Sequence, residues 1–142
     1  MQMSLHYLLM LTQNNFYRKI LSDSAQFGLS PGQPKILEYL SSHDGCKQSS
    51  IAKGCSLQPP TVTGLLRRMK ENGLIECVQN PSDKKSQNVS LSPKGRDALR
   101  IVEKIFSDAE NVALKGLSKQ EYQTFMHILM KLYFNTRSWQ NE

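Results

Sequence analysis

The sequence predicts a mainly α-helical chain with one small β-hairpin past its midpoint, and three observations support this fold class. Most apolar residues recur at spacings of three and four, which places them on one face of a helix. Two short stretches alternate with period two, and a polar segment rich in turn formers separates them. The 142 residues are 39% hydrophobic and 21% charged, so the chain can form one packed domain with a helical extension.

The composition also disfavours several classes of protein. No apolar run reaches the ~18 residues that a membrane span requires, and the apolar start lacks the basic opening and cleavage site of a signal peptide. Three cysteines, Cys46, Cys55 and Cys77, cannot all pair and form no CxxC motif, which favours a reducing compartment. We therefore expect a cytoplasmic protein without a disulfide scaffold, a metal site or another cofactor.

The first quarter of the chain predicts two helices. Loosely helical spacing indicates the first, from about Leu5 to Ala25. Ser30 is predicted to cap the second, with Pro31 at its first position and Gln33 completing a capping box. The sequence His43-Asp44-Gly45 should end that helix.

The next segment has the pattern of a helix-turn-helix. A short helix is predicted from Gln48 to Gly54, followed by a tight turn and a second helix from Pro59 to about Asn72. The buried stripe of the second helix is Val62, Leu65, Leu66 and Met69. Its outward arc is Thr61, Thr63, Gly64, Arg67, Arg68 and Glu71, and Gly73 should end the helix as a left-handed cap.

A β-hairpin follows as a wing. Its strands are predicted over Leu74–Gln79 and Gln87–Leu91, where apolar residues alternate with polar ones. The intervening segment Asn80–Ser86 is predicted as a loop with Lys84 and Lys85 at its tip.

Two more helices end the chain. Ser92 and Pro93 should begin a long helix that reaches about Leu114, and Ser118 with Glu121 forms a capping box for the last. The terminal helices carry more apolar surface than so small a chain can easily cover. We therefore expect them to pack on each other and on a second copy, with a monomeric bundle as the alternative.

The excess positive charge lies in the middle of the sequence. Residues 46–100 contain ten Lys or Arg against four Asp or Glu, whereas the rest of the chain is balanced, so this segment carries the whole net charge of +6. A focused basic segment points to a polyanion, most commonly nucleic acid, and a solvated surface is the alternative.

The helix after Pro59 has the properties of a helix that reads the major groove of DNA. Threonines can touch base edges or thymine methyls, arginines can reach guanine or phosphate, and glycine allows close approach. The candidate contacts are Ser49, Gln58, Pro59, Thr61, Thr63, Gly64, Arg67 and Arg68, with Lys84 and Lys85 of the wing on the backbone or in a minor groove. Asp83 beside the lysines is expected to orient one of them or to cap the turn.

These segments resemble the MarR family of bacterial winged-helix transcription regulators, and the resemblance covers nearly the whole chain. The similar stretches are Leu57–Leu66 for the turn and recognition helix, Met69–Ile75 for the exit into the wing, and Asn80–Gly95 for the wing and next helix. The resemblance implies an obligate homodimer on a pseudo-palindromic operator, usually released by a small ligand or an oxidant. It implies residues 1–28 as a dimerisation helix, 29–96 as the winged helix-turn-helix DNA-binding domain and 97–142 as further dimerisation helices.

The chain departs from the family pattern at four positions. Lys84 and Lys85 replace the two wing arginines, so phosphate attraction is retained without the planar fork of arginine. Ser56 stands where a turn glycine is common, and Gly64 stands where a larger and often basic residue is common.

The resemblance also implies an effector pocket between the terminal helices and the winged helix. Residues that could line it are Tyr7, Met10, Phe16, Tyr39 and His43, although periodicity explains several of them as core. Cys46, which follows Gly45 in a predicted polar loop, is the one candidate for a reactive thiol, while Cys55 and Cys77 are expected to be small buried hydrophobes.

The sequence disfavours two other functional classes. A winged helix can serve as a protein-interaction module without reading DNA, and the local charge disfavours that reading. An enzyme is disfavoured because the sequence lacks GxSxG, P-loop and HExxH motifs and pairs of carboxylates suited to acid–base chemistry.

Overall fold

The computed structural model describes residues 2–141, with side chains described for residues 2–139. These residues form two compact units, one ending at Ala109 and the other beginning at Glu110. The chain ends, residues 1 and 142, belong to the predicted dimerisation segments and lie outside the described residues. The functional division at residues 28 and 96 remains a prediction.

The first unit combines helices with a small sheet. Its helices are α1 (Leu5–Ala25), α2 (Gln33–Ser42), α3 (Gln48–Gly54) and α4 (Pro59–Glu71), and its strands are β1 (Cys46–Lys47), β2 (Ile75–Asn80) and β3 (Asp83–Leu91). Helix α5 (Pro93–Ala113) begins in the first unit and ends in the second, which also holds α6 (Lys119–Thr136) and a 3-10 helix (Arg137–Asn141). The predicted class, mainly α with a small β wing, is confirmed.

The core of the first unit is built by α2, α3, α4, the strands and the first half of α5. Ile36, Ile51, Val62 and Met69 have no exposed surface. Burying a side chain of this size stabilises the fold by roughly 1.5–3 kcal/mol. The buried cluster therefore contributes more to the free energy of unfolding than the exposed ion pairs, which are worth about 0–1 kcal/mol each. The four-residue apolar stripe predicted for α4 is buried and therefore confirmed.

The predicted capping box at the start of α2 is wrong. The helix begins at Gln33 rather than Pro31, because Gly32 adopts a left-handed φ of 89° that interrupts the helical backbone. The Ser30 backbone N–H donates to Gln33 Oε1 at 3.1 Å, but the Ser30 hydroxyl has no hydrogen-bond partner within the described residues. A Cβ atom added at Gly32 would lie 2.7 Å from Leu65 Cδ1, so packing on α4 also favours glycine here.

The sheet contains a strand that the alternating pattern did not predict. Strand β1 pairs with β3, which pairs in turn with β2, and the sheet is antiparallel with the order β1-β3-β2. Two residues are too few to show a period of two, so periodicity cannot reveal such a strand. Cys46, which the sequence placed in a polar loop, lies on β1 opposite Val89 and packs against the core.

The wing loop is shorter than predicted, which changes the position of its lysines. Strand β3 begins at Asp83, which pairs with Asn80, and regular pairing with β2 resumes at Gln87. The residues between them, which include Lys84 and Lys85, form a bulge in β3. The prediction of a long polar loop with these lysines at its tip is therefore wrong.

Ser92 and two glycines join α4, β2 and α5. Ser92 Oγ accepts the Gly95 backbone N–H at 2.9 Å, which confirms the predicted cap, and its hydroxyl donates to the Gly73 carbonyl. Gly73 ends α4 with a left-handed φ of 74°, as predicted. A Cβ atom added at Gly95 would overlap the Leu74 carbonyl oxygen. The start of α5 therefore lies closer to the backbone of Leu74 than any residue other than glycine at position 95 would allow.

The turn of the helix-turn-helix contains one strained residue. Ser56 has a φ of 52°, the one positive φ of a non-glycine residue within the described chain. An L side chain in this conformation costs roughly 1–2 kcal/mol, which glycine avoids.

We expect Ser56→Gly to raise the free energy of unfolding by about 0.5–1 kcal/mol, because relief of strain exceeds the entropy that glycine adds to the unfolded chain. Urea unfolding at fixed protein concentration measures the change. The matched control, Ser107→Gly in the helical backbone of α5, should lower stability by about 0.5 kcal/mol. Equal effects of the two substitutions would contradict the account of Ser56.

The N-terminal helix exposes most of its apolar side chains. Ser24 is the one buried residue of α1. The large apolar residues Leu5, Tyr7, Leu8, Leu9, Met10 and Tyr17 are all between 44% and 59% exposed. Nevertheless, no helix within residues 2–141 is both long and apolar enough to cross a membrane.

In the second unit, α6 likewise exposes apolar side chains, and none of its residues is buried. Its predicted capping box is confirmed, since Glu121 N–H donates to Ser118 Oγ at 3.1 Å and Ser118 N–H donates to Glu121 Oε2 at 2.7 Å. These bonds hold the pKa of the Glu121 carboxyl below its ordinary value.

Candidate nucleic-acid interface

Helix α4 positions most of the predicted contact residues. It begins at Pro59 after an extended Gln58, and proline suits a first turn because amide hydrogens have no helical acceptors there. Val62 and Met69 are fully buried and fix the helix on the core. The face of α4 opposite these residues is therefore held in solvent by packing of the helix on the core, and it does not depend on a flexible loop.

The solvent-facing side of α4 and its N-cap forms what we call the α4 arc. It consists of Gln58, Pro59, Thr61, Thr63, Gly64, Arg67 and Arg68; Gly64 is half-buried and the others are exposed. A Cβ atom added at Gly64 would meet nothing within 4 Å, so the surface is open at that point. The structure thus brings together the predicted contact residues around α4.

One hydrogen-bonded pair joins α3 to the α4 arc. Gln48 Nε2 donates to Thr63 Oγ1 at 2.7 Å, and Thr63 Oγ1 donates to the Pro59 carbonyl at 3.1 Å. Gln48 was not predicted as a site residue, because it lies 15 positions from Thr63 and no periodic signal links the two.

A cleft of about 510 Å³ lies between the start of α3, α4 and β3. We call it the lysine cleft, because Lys47, Lys53, Lys84 and Lys85 line it. Ser49, Gln48 and Pro59 also line it, and its lining includes no Asp or Glu among the residues described. Positive charges gathered along a concave protein surface raise the local concentration of anions.

The lysine cleft includes four predicted contact residues, one of which is Pro59, and also two lysines that the sequence did not single out. Ser49, Lys84 and Lys85 lie together here, so the wing lysines line a surface shared with α3 and α4. Lys47 and Lys53 had been counted only as part of the basic segment. Their charge was the available signal, but their place beside the wing depends on tertiary structure.

No ion pair identified among residues 2–139 includes a cation of this surface. Ion pairs within the described residues are Lys19–Asp23, Arg96–Asp44, Arg100–Asp97 and Lys104–Asp108. None of these pairs includes a cation of the α4 arc or the lysine cleft. Asp83 Oδ1 accepts the Lys85 backbone N–H at 3.0 Å, so Asp83 caps the turn. This is one of the two roles predicted for Asp83.

Two thiols lie in surroundings that favour the protonated form. Burial raises the pKa of the Cys55 thiol to about 11, although Lys35 opposes the shift. Burial also raises the pKa of Cys46, which does not favour the reactive role considered for it. Cys55 is buried and Cys77 packs against the core, as predicted for small hydrophobes. No cluster of three His, Cys, Asp or Glu suited to a metal ion occurs in the part of the chain that is described.

The residues considered for an effector pocket have separate local roles. Tyr39 and His43 stack with their ring centroids 4.1 Å apart, and Tyr39 packs against the core. Tyr7 and Met10 are 44% and 46% exposed on α1, and Phe16 is half-buried. The effector site therefore remains a prediction.

Comparison with known proteins identifies the same region. A family model described as MarR family matches residues 29–87, which include the α4 arc and the lysine cleft. Over 120 residues the chain is 26% identical to the HTH-type transcriptional regulator BilQ of Clostridioides difficile (strain CD3), with 84% of this chain and 81% of BilQ covered.

Solved structures agree in fold. The S. aureus MepR–DNA complex is 26% identical, with a TM-score of 0.84 and coverage of 94% of this chain and 99% of that one. The transcriptional repressor CouR, bound to a 23-mer DNA duplex, is 25% identical, with a TM-score of 0.80 and coverage of 91% and 92%. The family and BilQ are named for regulation rather than for an enzyme activity. Residues 29–87 therefore match the MarR family, and over most of its length the chain is similar to transcriptional regulators.

Proposed function

We propose that this protein is a sequence-specific transcriptional regulator that binds double-stranded DNA with the α4 arc in the major groove. One observation carries the proposal: packing holds a face of threonines and arginines in solvent, and Arg67 and Arg68 have no ion-pair partner among the described residues. The major groove is ~12 Å wide and accepts one α-helix. Arginine can donate two parallel hydrogen bonds to guanine, and threonine can pack on thymine.

The α4 arc and the lysine cleft would make different kinds of contact. We assign base contacts to Gln58, Thr61, Thr63 and Arg67, close approach of the backbone to Pro59 and Gly64, and phosphate contacts to Ser49, Arg68, Lys84 and Lys85. Phosphate contacts position a protein on the duplex, whereas contacts to base edges select the sequence. The lysine cleft supports this assignment, because four lysines line it without a described acid.

We further propose that the protein acts as a homodimer through residues 1–28 and 97–142. Support comes from the exposed apolar side chains of α1 and, separately, of α6, where Phe125 is 48% and Tyr133 is 57% exposed. Contiguous apolar surface of this kind is typical of an interface. Two copies would present two α4 arcs to major grooves about one DNA turn apart, ~34 Å, on a pseudo-palindromic operator.

We expect light scattering to give twice the chain mass of 16.2 kDa. Phe125→Glu should shift the protein toward monomer, because a buried unpaired carboxylate is costly. Glu76→Gln, an exposed polar change on β2 outside both of these segments, serves as the control. A monomer at the concentrations used for DNA binding would contradict the dimer.

Two relatives guide the finer proposal. MepR is described in complex with DNA, and CouR is described as a transcriptional repressor bound to a DNA duplex. We propose that this protein is likewise a repressor, that it acts in the cytoplasm, and that a small molecule weakens its DNA binding. A gel shift in which rising salt steeply lowers affinity tests the central step, because each neutralised phosphate releases counterions. A protein-interaction module would show no such binding.

Lys85→Ala should weaken binding to all duplexes and reduce the slope of log affinity against log salt by about one unit per bound protomer. The reason is that a lysine acts on phosphate as a point charge rather than through a planar fork. Lys104→Ala is the control, since Lys104 already pairs with Asp108 on α5. An unaltered slope would exclude Lys85 from the phosphate contacts.

A further inference from the structure

We propose that Gln48 and Thr63 form a specificity-determining pair, in which Gln48 fixes Thr63 so that its methyl group reads the C5-methyl of a thymine. This inference rests on the proposed function and names the feature of the operator that one residue of the α4 arc recognises. It also gives a role to Gln48, a residue on α3 rather than on the helix that would enter the groove.

The hydroxyl of Thr63 is already committed within the protein. It donates its single hydrogen to the Pro59 carbonyl at 3.1 Å. The Gln48 atom that faces it at 2.7 Å must then be the amide nitrogen, because the hydroxyl has no second hydrogen to give to an oxygen. The methyl group is therefore the part of the Thr63 side chain that has no polar partner.

Thymine is the one base that presents a methyl group in the major groove. Guanine presents only acceptors there, and the Thr63 hydroxyl has already given its hydrogen to the Pro59 carbonyl. The amino groups of adenine and cytosine can reach only the remaining lone pair of that hydroxyl, whereas a thymine methyl can pack directly on the Thr63 methyl. Thr63 is exposed, and the next residue, Gly64, has open space where a side chain would begin. The base edges can therefore come close to Thr63.

Gln48 acts as a positioning residue. Its half-buried side chain spans from the first turn of α3 to Thr63, so the hydrogen bond links the two helices at the face of the α4 arc. Without this donor, Thr63 could turn about its Cα–Cβ bond, and its methyl group would no longer be held in one place.

The test uses the wild-type dimer and a duplex selected by it from a random pool. Each thymine of one half-site is replaced in turn by deoxyuridine, which removes the C5-methyl alone. At one position the affinity should fall by about four-fold, the value expected for one buried carbon group. Thr63→Ser, which keeps the hydroxyl and loses the methyl, should bind the two duplexes equally. Thr63→Val, which keeps a methyl, should retain a preference for thymine.

Gln48→Met keeps the volume of the side chain but loses the amide, so it should reduce the preference for thymine over deoxyuridine. Its Tm should be no lower than that of Gln48→Ala, which loses both the amide and the volume. A wild-type protein indifferent to deoxyuridine at every thymine, or a Thr63→Ser variant that keeps the preference, would overturn the proposal and leave DNA binding intact. A Gln48→Met variant with the full preference would overturn the positioning role. If the wild-type protein bound no duplex, the proposed function itself would fail, and the pair with it.

Discussion

Gly95→Ala is expected to lower the free energy of unfolding by about 3 kcal/mol or more, since overpacking costs about 1–3 kcal/mol and loss of a cap about 1 kcal/mol. The new Cβ would overlap the Leu74 carbonyl oxygen, and a backbone atom cannot rotate away as the end of a side chain can. The start of α5 must then shift, which breaks the bond from Gly95 N–H to Ser92 Oγ. Urea unfolding at fixed protein concentration measures the loss.

The same chemical change elsewhere in the chain provides the control. Gly64 lies inside α4 with nothing within 4 Å of an added Cβ. Gly64→Ala should therefore raise stability by about 0.5–1 kcal/mol, because alanine is the better helix former. If both substitutions moved stability in the same direction, the close approach of α5 to the Leu74 carbonyl would not be the reason for glycine at position 95.

Arg67→Ala is expected to weaken operator binding by about 1–3 kcal/mol, or roughly 5- to 150-fold, and to relax sequence preference at one position of each half-site. The exposed guanidinium has no ion-pair partner within the described residues, so its loss should leave no buried charge behind and should not unfold the protein. Fluorescence anisotropy with the selected duplex and with a scrambled duplex measures both effects.

Arg100→Ala removes the same charge from α5, where the side chain pairs with Asp97. Its affinity should stay within about twofold of the parent protein, because distant exposed charges are largely screened at physiological salt. Arg67→Ala and Arg100→Ala variants with equal affinity for the selected duplex would show that Arg67 does not read a base.

Local chemistry predicted most of the fold. The bounds of α1 and α3 and the stripe of α4 followed from periodicity, while Gly73 and Ser118 marked helix ends by cap chemistry that acts within a few residues. The start of α2 was mispredicted because Gly32 competes with the capping signal of Ser30. Strand β1 was missed because its pairing with β3 is a long-range contact.

The candidate interface was predictable where it depends on one helix and less so where it joins several elements. The outward residues of α4 followed from its buried stripe. By contrast, the lysine cleft needs α3, α4 and β3 to meet, and the bulge that carries Lys84 is set by strand register rather than by loop composition. Gln48 gave no signal, because glutamine is common on solvated helices.

Selection of bound fragments from a random pool of duplex DNA tests the central claim most directly. The wild-type protein should enrich a two-fold symmetric motif whose half-sites lie about one DNA turn apart, ~10 base pairs from centre to centre. The double variant Arg67→Ala, Arg68→Ala should lose that enrichment while retaining its helical circular dichroism. A wild-type protein that enriched no sequence, or a double variant that enriched the same motif as strongly, would contradict the account.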